Sequence, residues 1–482
     1  MTASPFFLQA LASACAPRRC RLIGIATSML VSACSLGPSY QRPPVSTPNG
    51  WQAETTGMAA GWPSADWWHQ FNSDGLNRLI ERSAHDNDDI AAAIARVQEA
   101  DAQARIAGAP LLPSLQAGFE AQRERVQSSS GPVTSNAYGP SLAASYELDF
   151  WGRNRALHGA ALAAADASRF DRATVELTIM TSVATTYFQA QTLHDRLRIA
   201  QNDLDAARSI LSGLQAQEQA GIANALDIAQ QTTAVATQYA AIPPLRAQLN
   251  QTLDELAILT GSMPEAATFQ PDGLDNLTLP TVQAGLPSGL LARRPDVASA
   301  EAQLIAANAN VAAARAAFFP NISLTASGGY LNSSLSDLFN PGNAVFSLGA
   351  NLLQPIFEGG ALQAQSDYTK AHERELLADY HKAVIGAFGN AEDALTAVAQ
   401  TAEQERRQKE ALTAARRAYS FAQAQLHAGT INVLTLLNTQ SAEFSAEDAF
   451  AQVRLSHLQA LVSLYGALGG GWQQSAVSES KG

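Results

Sequence analysis

Residues 89–113 read DIAAAIARVQEADAQARIAGAPLLP and residues 296–320 read DVASAEAQLIAANANVAAARAAFFP, a gapless match at a constant offset of 207 from Asp89/Asp296 to Pro113/Pro320. Seven of the nine identities are alanine, so this stretch alone is weak. Later anchors are stronger. Phe150/Phe357 and Gly152/Gly359 keep the same offset, while Gly221/Gly429, Asn224/Asn432, Leu226/Leu434, Arg246/Arg454 and Gly261/Gly469 keep 208. One shift of a single residue over so long a span indicates a duplicated unit, and a repeat constrains architecture before any local motif does.

Glycine and proline divide each copy into segments. No proline occurs between Pro140 and Pro243. Residues 153–220, between Gly152 and Gly221, and residues 361–428, between Gly360 and Gly429, are two stretches of 68 residues with helix-forming composition. Each predicts a helix of roughly 100 Å. The return segments 222–261 and 430–469 reach only about 60 Å, and the remaining ~40–50 Å matches upward helices near 76–108 and 290–318. One long helix down therefore equals two short helices up. Residues 262–289 carry Pro264, Pro271, Pro280 and Pro287 with Gly273, Gly285 and Gly289, which forbid a continuous helix and predict an equatorial belt. Pro243-Pro244 should kink or break the first return helix, where the second copy has Ala451-Gln452.

The rest of each unit has the two-residue period of strands. Leu115, Ala117, Phe119 and Ala121 alternate with Gln116, Gly118, Glu120 and Gln122; Leu142, Ala144, Tyr146 and Leu148 alternate with Ser141, Ala143, Ser145 and Glu147. Leu324, Ala326 and Tyr330 alternate with Ser323, Thr325 and Ser327, and Phe346, Leu348, Ala350 and Leu352 with Ser347, Gly349 and Asn351. Such patterning over about ten residues suits a membrane barrel, and equally two hairpins packed on a soluble core. In lipid four strands cannot close a barrel, because every backbone group must be paired and the smallest such barrels have eight strands. Three copies would supply twelve.

The amino terminus favours the barrel. The first 33 residues hold no Asp or Glu, carry Arg18, Arg19 and Arg21, run apolar from Leu22 to Val31 and end in Ser32-Ala33-Cys34. This is the pattern of a secretory signal, and Val31-Ser32-Ala33-Cys34 resembles the bacterial lipoprotein box, in which the cysteine becomes the lipidated first residue. An ordinary signal peptide or a membrane anchor is the alternative, and Ala12-Ser13-Ala14-Cys15 is a weaker box with no basic residue before it. Cleavage at Cys34 would remove three arginines and no acid, moving the formal charge from −12 to −15 and leaving one thiol, so no internal disulfide. The net charge of −12, without an Arg/Lys-rich face to neutralise phosphates, argues against a nucleic-acid partner. No later apolar run reaches the roughly 20 residues of a membrane-spanning helix, so strands would have to make any crossing.

The motifs CSLGPSYQRPP (34–44), DWWHQFNSDGLNRLI (66–80), LPSGLLARRPDVASAEAQLIAANANVAAARAAFFPNISL (286–324) and PIFEGG (355–360) resemble the TolC/NodT family of outer-membrane efflux lipoproteins, from Cys34 to Gly470. The resemblance implies a mainly α fold with β: a homotrimer whose twelve-stranded outer-membrane β-barrel continues into a long periplasmic α-helical barrel with an equatorial belt. A periplasmic adaptor protein and an inner-membrane efflux transporter, usually of the resistance-nodulation-division class, would dock at its far tip. The expected division is a signal peptide (1–33), a lipid-anchored extended segment (34–75), a first repeat (76–261), an equatorial connector (262–289), a second repeat (290–469) and a tail (470–482).

At the tip, Gly221-Ile222-Ala223-Asn224 and Gly429-Thr430-Ile431-Asn432 are expected to turn two helical hairpins. Gly221, Asn224, Gly429 and Asn432 need mean no more than helix termini. In similar channels the first turns after the second glycine narrow the lumen. The matching positions are Leu434 and Asn438, four apart and so on one helix face. Plain helix packing is the competing reading. Many relatives place an acid at the second position, where this chain has Leu437-Asn438-Thr439-Gln440, which puts a charged ring at the tip in doubt. Arg246 and Arg454 are candidates to bridge helices near the tip, or are simply solvated. His372 and His381 are nine apart, not the i, i+4 pair of a metalloprotease helix, and no phosphate-binding glycine motif occurs. The function expected is passive conduction of small molecules such as drugs from periplasm to exterior, with no cofactor beyond the lipid on Cys34 and no catalysis. A protein-secretion duct of the same fold and a non-conducting coiled-coil tether are the rivals, and an enzyme is the weakest.

Overall fold

The computed structural model describes residues 40–52, 61–221, 224–266, 269–282 and 284–473. The signal peptide and Cys34 lie outside the described residues, as do Ile222 and Ala223 of the first turn. Helices α1 (Asp74–Asp86) and α2 (Asp88–Gly108) lead into strands β1 (Ser114–Ser128) and β2 (Gly131–Glu147), long helix α3 (Arg153–Gln219) and return helix α4 (Ala225–Leu259). The order then repeats as α5 (Pro295–Ala316), β3 (Asn321–Tyr330), β4 (Ala344–Leu353), α6 (Ala361–His427) and α7 (Val433–Ala467). The long helices have 67 residues each and the return helices 35 each, so the duplication seen in spacing is one of structure.

The chain separates into two compact units, one of Asp101–Ala164 and Leu304–Leu376 with Tyr40 and Gln41, the other of Arg42–Ala100, Ala165–Gln303 and the chain from Leu377 on. The first holds an antiparallel meander in the order β1-β2-β3-β4. Its register aligns the apolar positions of all four strands on one face. Ile322 lies opposite Leu352; Tyr146, Leu324 and Ala350 form the next row; Leu115, Ala144, Ala326 and Leu348 the next; then Ala117, Leu142, Gly328 and Phe346. Above these come Phe119 with Pro140, Tyr330 with Ala344, and finally Ala121 with Tyr138. Six such rows span roughly 34 Å along the strands, or about 26 Å at a barrel tilt of ~40°, the height of a lipid-facing band. The other face carries mainly polar and small residues, among them Gln116, Glu120, Ser141, Ser145, Ser323, Thr325, Ser347 and Asn351.

Within this sheet β1 and β4 each pair on one side only. Open edges of this length present rows of unpaired N–H and C=O groups, a template for pairing with another chain. Strands β3 and β4 have the ten residues expected, whereas β1 and β2 run to 15 and 17. The excess is a hairpin in which Arg123–Ser128 pairs with Gly131–Asn136, turning at Ser129-Ser130. Its charged residues interrupt the apolar alternation, which hid it from a period-2 reading. At the opposite end of the strands, Trp151 stacks on Phe319 at 4.9 Å and donates from Nε1 to the Pro320 carbonyl at 2.8 Å. The Asp149 carboxylate starts α3 by accepting from the backbone N–H of Asn154 (3.0 Å) and Arg155 (2.9 Å).

The second unit is helical around an aromatic core. Trp67 stacks on Tyr465 at 4.8 Å, and Phe71 contacts Phe188 at 5.0 Å, all four fully buried. This is the structural use of the Asp-Trp-Trp segment. The helix expected over 76–108 is broken at Asn87, whose backbone is extended (φ −75°, ψ 127°). Its Oδ1 accepts from the N–H groups of Asp89 and Ile90, capping α2, while its Nδ2 donates to the Leu259 carbonyl at the end of α4. Arg294, the matching residue of the second copy, donates from Nη1 to Ala467 O at the end of α7 and grips Asp296 with two further bonds. Different side chains thus tie each return helix to the start of the upward helix. Gly261 and Gly469 allow this approach. Each has a positive φ, 65° and 87°, and a Cβ there would lie 2.1 Å from the Asp86 oxygen or 1.9 Å from the Arg293 oxygen. Pro243-Pro244 neither ends nor interrupts α4. Both prolines are exposed, as are Tyr239 and Ala240, whose carbonyls lose their helical donors, so water can serve those oxygens.

Candidate functional site

The hairpin ends are built from helix-terminus chemistry. Gly221 and Gly429 close α3 and α6 with φ of 73° and 69°. Asn224 then caps α4, its Oδ1 accepting from Asp227 N at 2.9 Å, and Asn432 caps α7, accepting from Thr435 N at 3.0 Å and Thr435 Oγ1 at 2.9 Å. The four residues expected at the turns therefore each have a local structural task. Two residue pairs join α3 to α7: Arg196 of α3 grips Asp448 of α7 with bonds of 2.6 and 3.2 Å, and Gln440 Nε2 donates to Asp203 at 3.0 Å. Burial pushes the Asp203 carboxyl up, with Gln440 opposing and Glu447 adding to the rise. Leu193, Leu204, Ile242 and Leu245 form the apolar contact between α3 and α4, with Phe444 against it.

Leu434 and Asn438 both lie exposed, while Val433, Leu436 and Gln440 turn to the buried side of α7. Neither is buried within the chain, and Leu434 keeps 48% of its surface exposed. Leu226, the counterpart of Leu434, is exposed too.

Arg454 does not act at the tip. It stands about six turns along α7 from Asn432, where Nη1 donates to Glu405 of α6 at 2.8 Å, Nε to Leu274 O at 3.0 Å and Nη2 to Leu277 O at 3.2 Å. Buried His457 bonds the other Glu405 oxygen at 2.5 Å. Arg454 therefore joins two helices to the segment between the repeats, a role no spacing in the sequence announces; Arg246, its repeat partner, is exposed. Burial acts to raise the Glu405 carboxyl, but the His457 hydrogen bond and the Arg454 charge together hold it below its ordinary 4.5. The stability it contributes is present above the ordinary carboxylate range and is lost as pH falls through its depressed value. Arg454→Met should cost about 3–5 kcal/mol, because a buried carboxylate and two connector carbonyls lose their partner. Denaturant unfolding should show that loss at neutral pH and a much smaller difference from wild type once acid protonates Glu405; equal differences at both pH values would refute the assignment.

A second buried network anchors the connector. Asp272 Oδ2 accepts from Ser73 Oγ and Tyr187 OH, both at 2.6 Å, and Gln191 Nε2 donates to that tyrosine oxygen at 2.7 Å. Desolvation, then the Asp272 bond, drives the Tyr187 hydroxyl far above its usual range. No motif or spacing in the sequence marks Asp272, Glu405 or His457, which stand in it as isolated polar residues. A recess of about 710 Å³ is lined by Thr178, Thr181, Ser182 and Thr185 of α3, Asp393 of α6 and Arg294. Thr178 and Thr181 spend their hydroxyls on their own helix carbonyls, and Arg294 is committed to Asp296 and Ala467. Among the described residues no group of His, Cys, Asp and Glu is placed to hold a metal ion, and no helix is long and apolar enough to cross a membrane.

Comparison with known proteins places this geometry. The family model for outer membrane efflux protein matches residues 79–262 and 286–470. The pyoverdine export outer membrane protein OpmQ of Pseudomonas aeruginosa is 40% identical over 458 residues, covering 93% of this chain and 96% of that protein. The probable efflux pump outer membrane protein TtgC of Pseudomonas putida is 35% identical over 475 residues, 95% and 98% of the two chains. Among solved structures, the outer-membrane channel OprN superposes with a TM-score of 0.85 at 26% identity over 92% of this chain and all of that one. The open state of the Neisseria gonorrhoeae MtrE channel gives 0.83 at 28% identity, again over 92% and 100%. The chain therefore belongs to the outer membrane efflux protein family and is an outer-membrane channel of an efflux system, not an enzyme.

Proposed function

We propose that three copies join edge to edge, β1 of one beside β4 of the next, to close a twelve-stranded barrel through which small organic molecules pass passively from periplasm to exterior. The observation that carries this is the sheet: one face apolar through six rows, the other mainly polar and small, and both edges without a partner among the described residues. A lipid-embedded sheet cannot leave an edge unpaired, so closure by other copies satisfies the backbone. A periplasmic adaptor and an inner-membrane transporter would supply the energy and bind the hairpin ends, shifting a closed–open equilibrium by contacting the open form better. Lipid on Cys34 would hold the mature amino terminus at the membrane. The cargo of OpmQ, pyoverdine, and the efflux role in the name of TtgC support small organic molecules as the transported class. A protein-secretion duct is the lesser reading, since neither relative is named for one.

In planar bilayers the purified protein should conduct as a trimer, and a stable non-conducting monomer in detergent would end this reading. Leu434 and Asn438 form the narrow point in it. Asn438→Asp should then raise cation over anion permeability several-fold, because three carboxylates converge on one axis; unchanged selectivity would return Asn438 to plain surface. Radiolabelled palmitate should enter the wild type and not Cys34→Ser, and incorporation into both would displace the anchor.

A further inference from the structure

The β1–β2 hairpin sorts its charges by sign. Arg123 faces Asn136 across the strands and Arg125 faces Thr134, both in the same alternation as Leu115, Ala117, Phe119 and Ala121. Glu120 and Glu124 fall in the opposite alternation, with Gln116, Gly118 and Gln122. All the positive charge of this hairpin therefore projects on the membrane side and all the negative charge on the other. Within the chain, the neighbours on the arginine side along and across the strands are Ala121, Gln127, Pro132, Thr134, Asn136 and Tyr138, without a carboxylate among them. Both arginines are exposed, and neither takes part in an ion pair among the described residues.

Their position along the strand is equally specific. Arg123 follows directly on the sixth and last apolar row, Ala121 with Tyr138, and Arg125 stands one row further out. An arginine on the lipid face costs about 2–4 kcal/mol at the midplane and roughly 0–1 at the interface, so these two positions suit the headgroup layer. The helices attach at the other ends of the four strands, so the hairpin is on the exterior side in the channel reading. Tyr138, one row below, has the amphipathic character that favours the same interface. A guanidinium matches the geometry of a phosphate with two parallel hydrogen bonds, and two of them about 7 Å apart on one strand face can hold two phosphates or clamp one. The chain as a whole is acidic, with a net charge of −12, so a cationic pair here is a local exception to the field of the protein.

We propose that Arg123 and Arg125 form a binding surface for phosphorylated lipid headgroups of the outer leaflet. The assignment rests on the apolar face being the lipid face. Full-length trimer in a nonionic detergent, titrated with diphosphorylated lipid A and with the same lipid after phosphatase treatment, would be followed by native mass spectrometry. Wild type should prefer the phosphorylated form about ten-fold, and the preference should shrink in high salt. Arg123→Gln with Arg125→Gln should bring the two lipids within about two-fold of each other, while Glu120→Gln with Glu124→Gln on the opposite face keeps the preference. Equal binding of the two lipids by wild type, a preference that ignores salt, or one that survives in the double arginine variant overturns the proposal. Should the trimer itself fail to conduct, the channel reading fails first; conduction with no lipid preference removes only the headgroup site.

Discussion

Leu348→Arg should remove the protein from the outer membrane, and Ser347→Arg, one residue away, should leave it there with reduced ion flux. Leu348 lies in the third of the six apolar rows, beside Ala326, and is 79% exposed in the single chain. A charge at that depth on the lipid face costs about 2–4 kcal/mol per copy, hence roughly 6–12 kcal/mol for three, comparable to the whole stability of a typical domain. Ser347 lies opposite Ser327 on the polar face, where three arginines would narrow a water-filled passage and repel cations without meeting lipid. Membrane fractionation with protease protection measures the first effect and planar-bilayer conductance the second. Equal insertion of the two variants, or loss of Ser347→Arg alone, would show that the faces have been assigned the wrong way round.

Gly469→Ala is expected to cost at least about 3 kcal/mol, combining a left-handed backbone that disfavours any side chain with a methyl forced against a carbonyl oxygen. The new Cβ would stand 1.9 Å from the Arg293 oxygen, which only a shift of the backbone can relieve. That shift would pull Arg294 from Ala467 O, the bond joining the end of α7 to the start of α5. Gly261→Ala meets the Asp86 oxygen at 2.1 Å and should behave alike. Gly221→Ala is the control: its φ is also positive, but nothing lies within 4 Å, so only the backbone preference of about 1 kcal/mol applies. Thermal unfolding of the detergent-solubilised trimer, followed by circular dichroism, should rank the variants in that order. If Gly469→Ala and Gly221→Ala melted together, the close approach would carry no energetic weight.

The tip residues were legible as termini because glycine and asparagine each have one physical reason to stand where a helix ends. Whether Leu434 and Asn438 meet their counterparts on an axis depends on copies of the chain that a single sequence does not contain. Arg454 was legible as a repeated residue and misplaced in role: its partners are Glu405, 49 residues away, and the carbonyls of Leu274 and Leu277, 180 and 177 away, distances over which spacing carries no signal. The break at Asn87 is invisible to periodicity for a similar reason. Apolar periodicity runs on through it, and the interruption is stabilised by a bond to Leu259 at the end of a different helix.

From the sequence alone came the duplication, the paired helix lengths and the four strands with one apolar face, because these depend on periods of two and 3.6 residues and on glycine and proline, which act locally. Tertiary structure decided the register that aligns six apolar rows, the separation of Arg123 and Arg125 from the glutamates beside them, and the buried Glu405–His457–Arg454 cluster. Each of these is a relation between strands or helices that meet only after the chain has folded, and the energy that selects it comes from pairing and burial between residues far apart in the chain.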